Sequence, residues 1–350
     1  MKITIIILDG VADSINNSCL QKAHIPNLNY LASHSLCGLM YPIKNIAPES
    51  GEAQFSILGQ NLKNYPGRGP LEALGLGIEL EKKQIALRVN FTKIKGNKLL
   101  NLRENIPNKS IISKLNQIDK DIKIIPHNFY RAILIVNNAS PNITNTHPNY
   151  IQVNNISNSI NGKKIKKLCK GDPKTAQKIN NFISQAEKIM KDKTILIRGS
   201  GIKIKKLNNM KNWSIIADMP VELGLGKMLG MHILPRKNEF KQISNTKSNL
   251  YVQIKGPDIY GHLKDCRSKI KEIERIDKLL KPIINLKDRI VCITADHATP
   301  CLKGIHTKDP VPFLIYNKHS NNIKEFTEKA CSKGLIIEGK DLLKTINSTT

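Results

Sequence analysis

Three groups of metal-ligating side chains stand far apart in this chain: Asp9, then Asp258-x-x-x-His262, then Asp296-His297 with His306 nine residues further on. Carboxylates combined with neutral imidazoles are a donor set for Zn²⁺ or Mn²⁺. Six such ligands are too many for one tetrahedral ion. They suit two ions about 3.5–4 Å apart, which clamp the attacking and leaving oxygens of a phosphoryl transfer. Taken singly, each piece has an ordinary explanation. An Asp after a strand usually serves a turn or a helix cap, and one DxxxH is a weak signal. The combination is what points to metal.

Ser50 is the matching nucleophile. In Pro48-Glu49-Ser50-Gly51-Glu52 it stands where a helix begins. A plain N-cap is one reading. The other is catalytic: free N–H groups and the positive end of the helix dipole favour an alkoxide before attack and a phosphoserine after it, and a bound metal lowers the hydroxyl pKa further. Arg68 (within Pro66-Gly67-Arg68-Gly69-Pro70), Arg88, Arg131, Arg198 and Lys255 are the cations expected to bind substrate oxyanions, Arg being suited to bidentate contacts. Neither a GxxxxGK[ST] nor a GxGxxG loop occurs, which argues against ordinary nucleotide folds.

The elements that must carry these residues are legible as well. Lys2–Leu8 is an unbroken apolar run that reads as a central strand of a parallel sheet, not as a signal sequence, and it ends in Asp9-Gly10. Further strand signals lie at Ile133–Val136, Thr194–Ile197, Trp213–Ala217, Leu250–Ile254, Ile290–Thr294 and Phe313–Tyr316. Helices are expected over Ile25–Ser33, Gly51–Leu58, Val221–Leu229, Ser268–Leu280 and Ile323–Ser332. Asp9, Asp258 and Asp296 each follow a strand, so they would meet at the carboxyl edge of one parallel sheet, where open α/β sheets bind ligands. The alternation argues for an α/β, doubly wound core. Residues about 90 to 210 are rich in Asn, Lys and Ile, with a loop-like stretch at Asn137–Asn161, and read as an inserted cap. The expected division is a core of residues 1–85 and 225–350 around an inserted α/β domain, residues 86–224, with Asn347–Thr350 frayed.

The chain has 350 residues, 40% hydrophobic and 24% charged, as expected of a soluble globular protein. No apolar run approaches the roughly 18 residues of a membrane span. Its seven cysteines are scattered without a CxxC pair, so neither a disulfide framework nor a zinc ribbon is expected, and a reducing cytoplasm is the simplest setting. The net charge of +27 suggests an anionic partner. The lysines are spread evenly, however, and the aromatic residues, 5% of the chain, do not interleave with basic runs. A basic nucleic-acid-binding protein on an inactive scaffold is therefore the less favoured reading.

The strings ILDG (7–10), GLMYP (38–42), PESGEAQFSILG (48–59), GRGPLEALGLGIEL (67–80), VQIKGPDIYGH (252–262), ITADHATPC (293–301) and GIHTKDPVPFLI (304–315) resemble the archaeal-type, cofactor-independent phosphoglycerate mutases of the alkaline phosphatase superfamily. The resemblance spans the first 90 residues and the last hundred well and the middle poorly. It implies an alkaline-phosphatase-like core with a smaller inserted transferase domain. It also implies two divalent ions, Mn²⁺ first, with Zn²⁺, Co²⁺ or Mg²⁺ as the other candidates. One ion would take Asp258, His262 and His306; the other would take Asp9, Ser50, Asp296 and His297. Ser50 would accept the phosphoryl group of 3-phosphoglycerate and return it to the 2-hydroxyl after the glycerate reorients.

The chain departs from the family pattern in three places. Relatives often carry TDTDPH in the inserted domain, where this chain has Thr144-Asn145-Thr146-His147-Pro148-Asn149. The stretch around Ile233–Asn249 is shortened. The first helix reads Ser50-Gly51-Glu52-Ala53-Gln54 where many relatives have Asp and His. These changes leave open a sister activity: a phosphatase, or a phosphotransferase on another small phosphate or phosphonate ester.

Overall fold

In the computed structural model the apolar run Lys2–Leu8 lies at the middle of an eight-stranded sheet, with Ile5, Ile6 and Ile7 wholly buried. The strand order is His232–Ile233, Trp213–Ile216, Asn249–Ile254, Lys2–Leu8, Arg289–Thr294, Val311–Tyr316, Ser35–Tyr41, Leu335–Glu338. The three central strands that precede the expected ligands are parallel neighbours. Leu8 pairs with Ile254 and Ile7 with Thr294, so their carboxyl ends lie level. Val311–Tyr316 runs antiparallel to both its neighbours, so the sheet is not parallel throughout. The structure describes residues 1–96, 98–153, 156–160, 162 and 168–348.

The chain divides into two compact units, one of Met1–Asn64, Asn208–Asp218 and Leu229–Thr350, the other of Tyr65–Leu207 and Met219–Met228. The boundaries depart from the expected ones in three places. Residues 65–85 belong to the second unit because the helix Arg68–Gly75 packs on the strands Gln84–Lys95 and Lys193–Ile202. Residues 208–218 belong to the first because Trp213–Ile216 pairs with Asn249–Ile254. Residues 225–228 belong to the second unit, where Lys227 Nζ donates to Leu74 O at 3.0 Å.

The second unit is built on an antiparallel sheet in which Gln84–Lys95 pairs with Lys98–Asn101, Arg131–Asn137 and Lys193–Ile202, and Ile122–Asn128 extends the far side. One long helix, Pro173–Met190, covers its core. Asp172 caps it by accepting the Thr175 amide, Pro173 occupies its first turn, and Ala176, Ile179, Phe182, Ile183, Ala186 and Met190 form its buried stripe.

Two expectations need correcting. Asn137–Asn161 is not one loop. Tyr150–Val153 and Ile156–Ser159 pair as a hairpin, while Asn154, Asn155 and Asn161 lie outside the described residues. The expected helix over Ile323–Ser332 shrinks to Glu328–Cys331, because the Thr327 hydroxyl accepts the Ala330 amide and starts the helix there. Of the expected frayed end, Asn347 and Ser348 close the helix Leu342–Ser348, and Thr349 and Thr350 lie outside the described residues. Among the described residues no helix is long and apolar enough to cross a membrane.

Candidate functional site

The level strand ends of the first unit bring the three sequence clusters together. Asp9 follows the central strand, and its amide donates to Ile254 O at 2.9 Å. Next door, the strand Asn249–Ile254 leads into the helix Gly256–His262. Pro257 sits in its first turn, and Asp258 and His262 fall on one helical face. The Asp258 Oδ1 to His262 Nε2 distance is 3.4 Å. His306 Nε2 lies 3.7 Å from that same oxygen and 3.2 Å from His262 Nε2. Around the other strand end, His297 Nε2 is 3.5 Å from Asp9 Oδ1, 3.6 Å from Asp296 Oδ1 and 3.3 Å from Ser50 Oγ. The His297 and His306 rings stack with centroids 3.7 Å apart, so the two sets adjoin.

Gly10 makes this approach sterically feasible. Its φ of +59° is left-handed, and a Cβ there would stand 2.8 Å from Asp258 Oδ1 and 2.7 Å from Thr299 Oγ1. Ser50 is the first residue of the helix Ser50–Ile57, with Glu49 as its N-cap. The cap position therefore belongs to the preceding residue, and the Ser50 hydroxyl faces His297 instead.

The hydrogen bonds behind the imidazoles decide what the donor set fits. His262 Nδ1 contacts Gly304 O at 2.9 Å and His306 Nδ1 contacts Pro48 O at 2.7 Å. A carbonyl only accepts, so both Nδ1 atoms donate and both Nε2 atoms are the ones left to face a ligand. The two Nε2 atoms face each other at 3.2 Å, close enough to share one cation. His297 Nδ1 donates to Thr299 Oγ1 at 3.0 Å, and the Thr299 hydroxyl in turn donates to Asp258 Oδ1 at 2.9 Å.

The charges point the same way. Asp9 and Asp296 are held above the ordinary carboxylate range, first by burial; for Asp9, repulsion from Asp296 comes next. Burial also pushes Asp258 upward, but His262 and Lys255 outweigh it and leave it well below that range. His297 is lowered to about 3, mainly by burial, which keeps it in the neutral, ligating form. Asp9 Oδ1, fully buried, accepts no hydrogen bond among the described residues. Buried carboxylates, converging imidazole nitrogens and an unsatisfied oxygen fit divalent metal.

Lys255 Nζ lies 2.8 Å from both Asp9 Oδ2 and Asp258 Oδ2. Of the five cations expected to meet substrate, it is the one in this cluster. Arg68, Arg88, Arg131 and Arg198 belong to the second unit. Arg88 stands opposite Arg198 across one strand pair, and Asn90 stands opposite Arg131 across another, so all four residues share a sheet face. Glu72 is buried beneath, 2.6 Å from Arg88 Nη1 and 2.8 Å from Arg68 Nε. Arg198 lies over the Tyr150 ring at 4.2 Å, and Arg131 Nη2 donates to the Tyr130 hydroxyl at 2.8 Å. Burial lowers Arg198 to about 9 and Arg88 to about 10, so both stay cationic at neutral pH.

The altered segment Thr144–Asn149 borders this face. Asn145 Oδ1 accepts the Gly199 amide at 3.1 Å, Thr146 Oγ1 accepts the Ile197 amide at 2.9 Å, and His147 Nε2 lies 3.4 Å from Asn90 Nδ2. Burial, then Arg88, lowers His147 to about 3.

Sequence reasoning missed Thr299, Gln54, Gln253 and Glu72. Gln54 Nε2 donates to Asp296 Oδ2 at 3.0 Å, and its place four residues after Ser50 was a readable signal. Gln253, whose side-chain amide donates to Asp9, looked like an ordinary strand position.

Comparison with known proteins finds two family models along the chain. A family model described as 2,3-bisphosphoglycerate-independent phosphoglycerate mutase matches residues 32–195, and one described as the metalloenzyme superfamily matches residues 236–346. A protein of Picrophilus torridus named 2,3-bisphosphoglycerate-independent phosphoglycerate mutase is 30% identical over 402 residues, covering 98% of this chain and 96% of its own. The solved cofactor-independent phosphoglycerate mutase of Thermoplasma acidophilum is 25% identical, with a TM-score of 0.60 and full coverage of both chains. A solved Pyrococcus horikoshii protein shares the fold with a TM-score of 0.76 at 22% identity, over 99% of this chain and 97% of its own.

Proposed function

The chain belongs to the 2,3-bisphosphoglycerate-independent phosphoglycerate mutase family, and from that membership we propose that it interconverts 3-phosphoglycerate and 2-phosphoglycerate through a phosphorylated Ser50. The observation that carries the proposal is the Ser50 hydroxyl, in the first turn of a helix and 3.3 Å from a buried His297 that closes a carboxylate–imidazole set. Asp258, His262 and His306 would hold one divalent ion and Asp9, Ser50, Asp296 and His297 a second, with Mn²⁺ as the first choice. Bound there, such ions supply Lewis acidity to the serine and phosphoryl oxygens.

The chain's own groups do the rest. The first-turn amides of the helix Ser50–Ile57 favour negative charge on the Ser50 oxygen and on the phosphate it carries. Lys255 counters charge beside Asp9 and Asp258. In the second unit Arg88, Arg131 and Arg198 offer three cationic forks on one face, suited to the carboxylate and phosphate of a phosphoglycerate. Neutral Asn145 and His147, where relatives often carry acids, leave these arginines more electropositive, which favours an anionic glycerate over an uncharged alcohol. Seven unpaired thiols suit a reducing compartment, and we place the enzyme in the cytoplasm.

The test is turnover of 3-phosphoglycerate by purified protein with Mn²⁺ and no bisphosphoglycerate, beside Ser50→Ala. We expect 2-phosphoglycerate from the parent, none from the variant, and retained ion binding at the set lacking Ser50. Cleavage of other phosphate esters with no mutase turnover would replace the mutase with the sister phosphatase. Near-normal turnover by Ser50→Ala would refute the covalent route.

A further inference from the structure

Three thiols from distant parts of the first unit converge away from the histidine–carboxylate set. The sulfurs of Cys19, Cys266 and Cys301 lie within 4.8 Å of one another, and the Cys19–Cys301 pair is 3.8 Å apart. We propose that Cys19, Cys266 and Cys301 form a three-thiolate site for a soft d¹⁰ cation, Zn²⁺ or Cu⁺, separate from the phosphotransfer centre.

The spacing is that of a coordination sphere. Three sulfurs at about 2.3 Å from one ion stand roughly 3.8 Å apart in tetrahedral geometry and roughly 4.0 Å apart in trigonal geometry. Cys19 and Cys301 already meet that separation. Any longer separation involves Cys266, which is half-buried. A disulfide needs sulfurs about 2 Å apart and uses only two of the three.

The backbone is set for this convergence. Asp13, buried, accepts the Cys19 amide on Oδ2 at 2.9 Å and the Cys301 amide on Oδ1 at 3.0 Å, so one carboxylate pins both segments. Lys269, fully buried, lies 3.3 Å from Asp13 Oδ1 and donates to Thr299 O at 3.0 Å. Cys266 opens the fourteen-residue helix Cys266–Leu279. Soft thiolates select d¹⁰ ions over Mg²⁺ or Mn²⁺, which prefer oxygen donors.

Burial pushes the Cys19 thiol up, and it carries Cys301 to about 12, so both are protonated without an ion. Uptake is therefore an exchange. One Zn²⁺ displaces three thiol protons, giving three Zn–S bonds, three released protons and a complex of net charge −1 near Lys269. Cys266 is the sulfur nearest solvent, so the fourth position is left to water or an external thiol. The site staples residues 19, 266 and 301, and its ion should raise the thermal midpoint.

The probe is Cd²⁺, titrated into the full-length protein after reduction with a phosphine and stripping with a chelator. Sulfur-to-cadmium charge-transfer absorption reports thiolates and ignores imidazole and carboxylate ligands, so the result is independent of the mutase reading. We expect a band that saturates at one ion per chain, with about a third of its intensity lost in Cys266→Ser and none in Cys169→Ser. Bound Cd²⁺ should also shield Cys19, Cys266 and Cys301 from alkylation, read by mass spectrometry. Cys266→Ser, at a half-buried position, carries the test if Cys301→Ser does not fold. No band, a band unchanged in Cys266→Ser, or a Cys19–Cys301 disulfide as the sole product would each overturn the site.

Discussion

Replacing Glu72 by Gln removes a carboxylate that both Arg68 and Arg88 engage, without changing side-chain size. The Glu72, Arg68 and Arg88 side chains are 1%, 8% and 3% exposed, so water cannot take over the lost partner. Breaking a buried ion pair from one side costs about 3–5 kcal/mol, because the cation stays buried and uncompensated. Glu222 still acts on Arg68, so the loss falls mainly on Arg88, which burial has already lowered to about 10. That places the expected cost near the lower bound, about 3 kcal/mol, a large part of a stability of about 5–15 kcal/mol. Urea denaturation should show the midpoint falling with little change in slope. Since 1 kcal/mol moves the midpoint by about 2–4 °C in units of this size, calorimetry should find the second unit melting about 6–12 °C earlier. The double variant Glu72→Gln/Arg88→Met should be milder than Glu72→Gln alone, because it buries no stranded charge. A loss under about 1 kcal/mol, or a double variant worse than the single, would refute the reasoning.

Two further outcomes follow from particular hydrogen bonds. Thr299→Val removes the hydroxyl that accepts from His297 Nδ1 and donates to Asp258 Oδ1. Chelator competition should show ion affinity lowered about 10–100-fold with the fold intact, and Thr299→Ser should restore it. Burial pushes the Glu328 carboxyl up to about 7 from its usual 4.5, against the hydrogen bonds from Ser18 and the Asp13 amide. A folded state that holds this proton more tightly is favoured below the lower value. Stability should therefore fall as pH rises from 4.5 to about 7, by up to about 3 kcal/mol from this group. Glu328→Gln should flatten that slope in denaturation curves taken across the same range, and an unchanged slope would assign the pH dependence elsewhere.

Asp9, Asp258 and Asp296 were legible in the sequence because a parallel sheet delivers whatever follows its strands to one edge, and unbroken apolar runs announce those strands. The spacing of Asp258 and His262 is likewise local, one helical turn. Ser50 could be placed at a helix start, but the structure was needed to show that it is not the cap, since Glu49 takes that position and the Ser50 hydroxyl turns to His297. The hairpin within Asn137–Asn161 was hidden because short polar strands carry no strong period, and Ile323–Ser332 misled because its apolar spacing ignored the cap at Thr327. The helix Pro173–Met190 was readable in retrospect, its apolar stripe diluted by Lys and Asn.

Other features rest on long-range pairing alone. Strand register sets Arg88 opposite Arg198 over Glu72, and packing brings Cys19, Cys266 and Cys301 together around Asp13. The carbonyls of Pro48 and Gly304 turn two imidazole Nε2 atoms toward each other. Sequence determined which chemical groups this chain owns and which strand ends carry them, because helix and strand periods are local. Tertiary structure alone decided their orientation and neutralisation, because those depend on partners tens to hundreds of residues away.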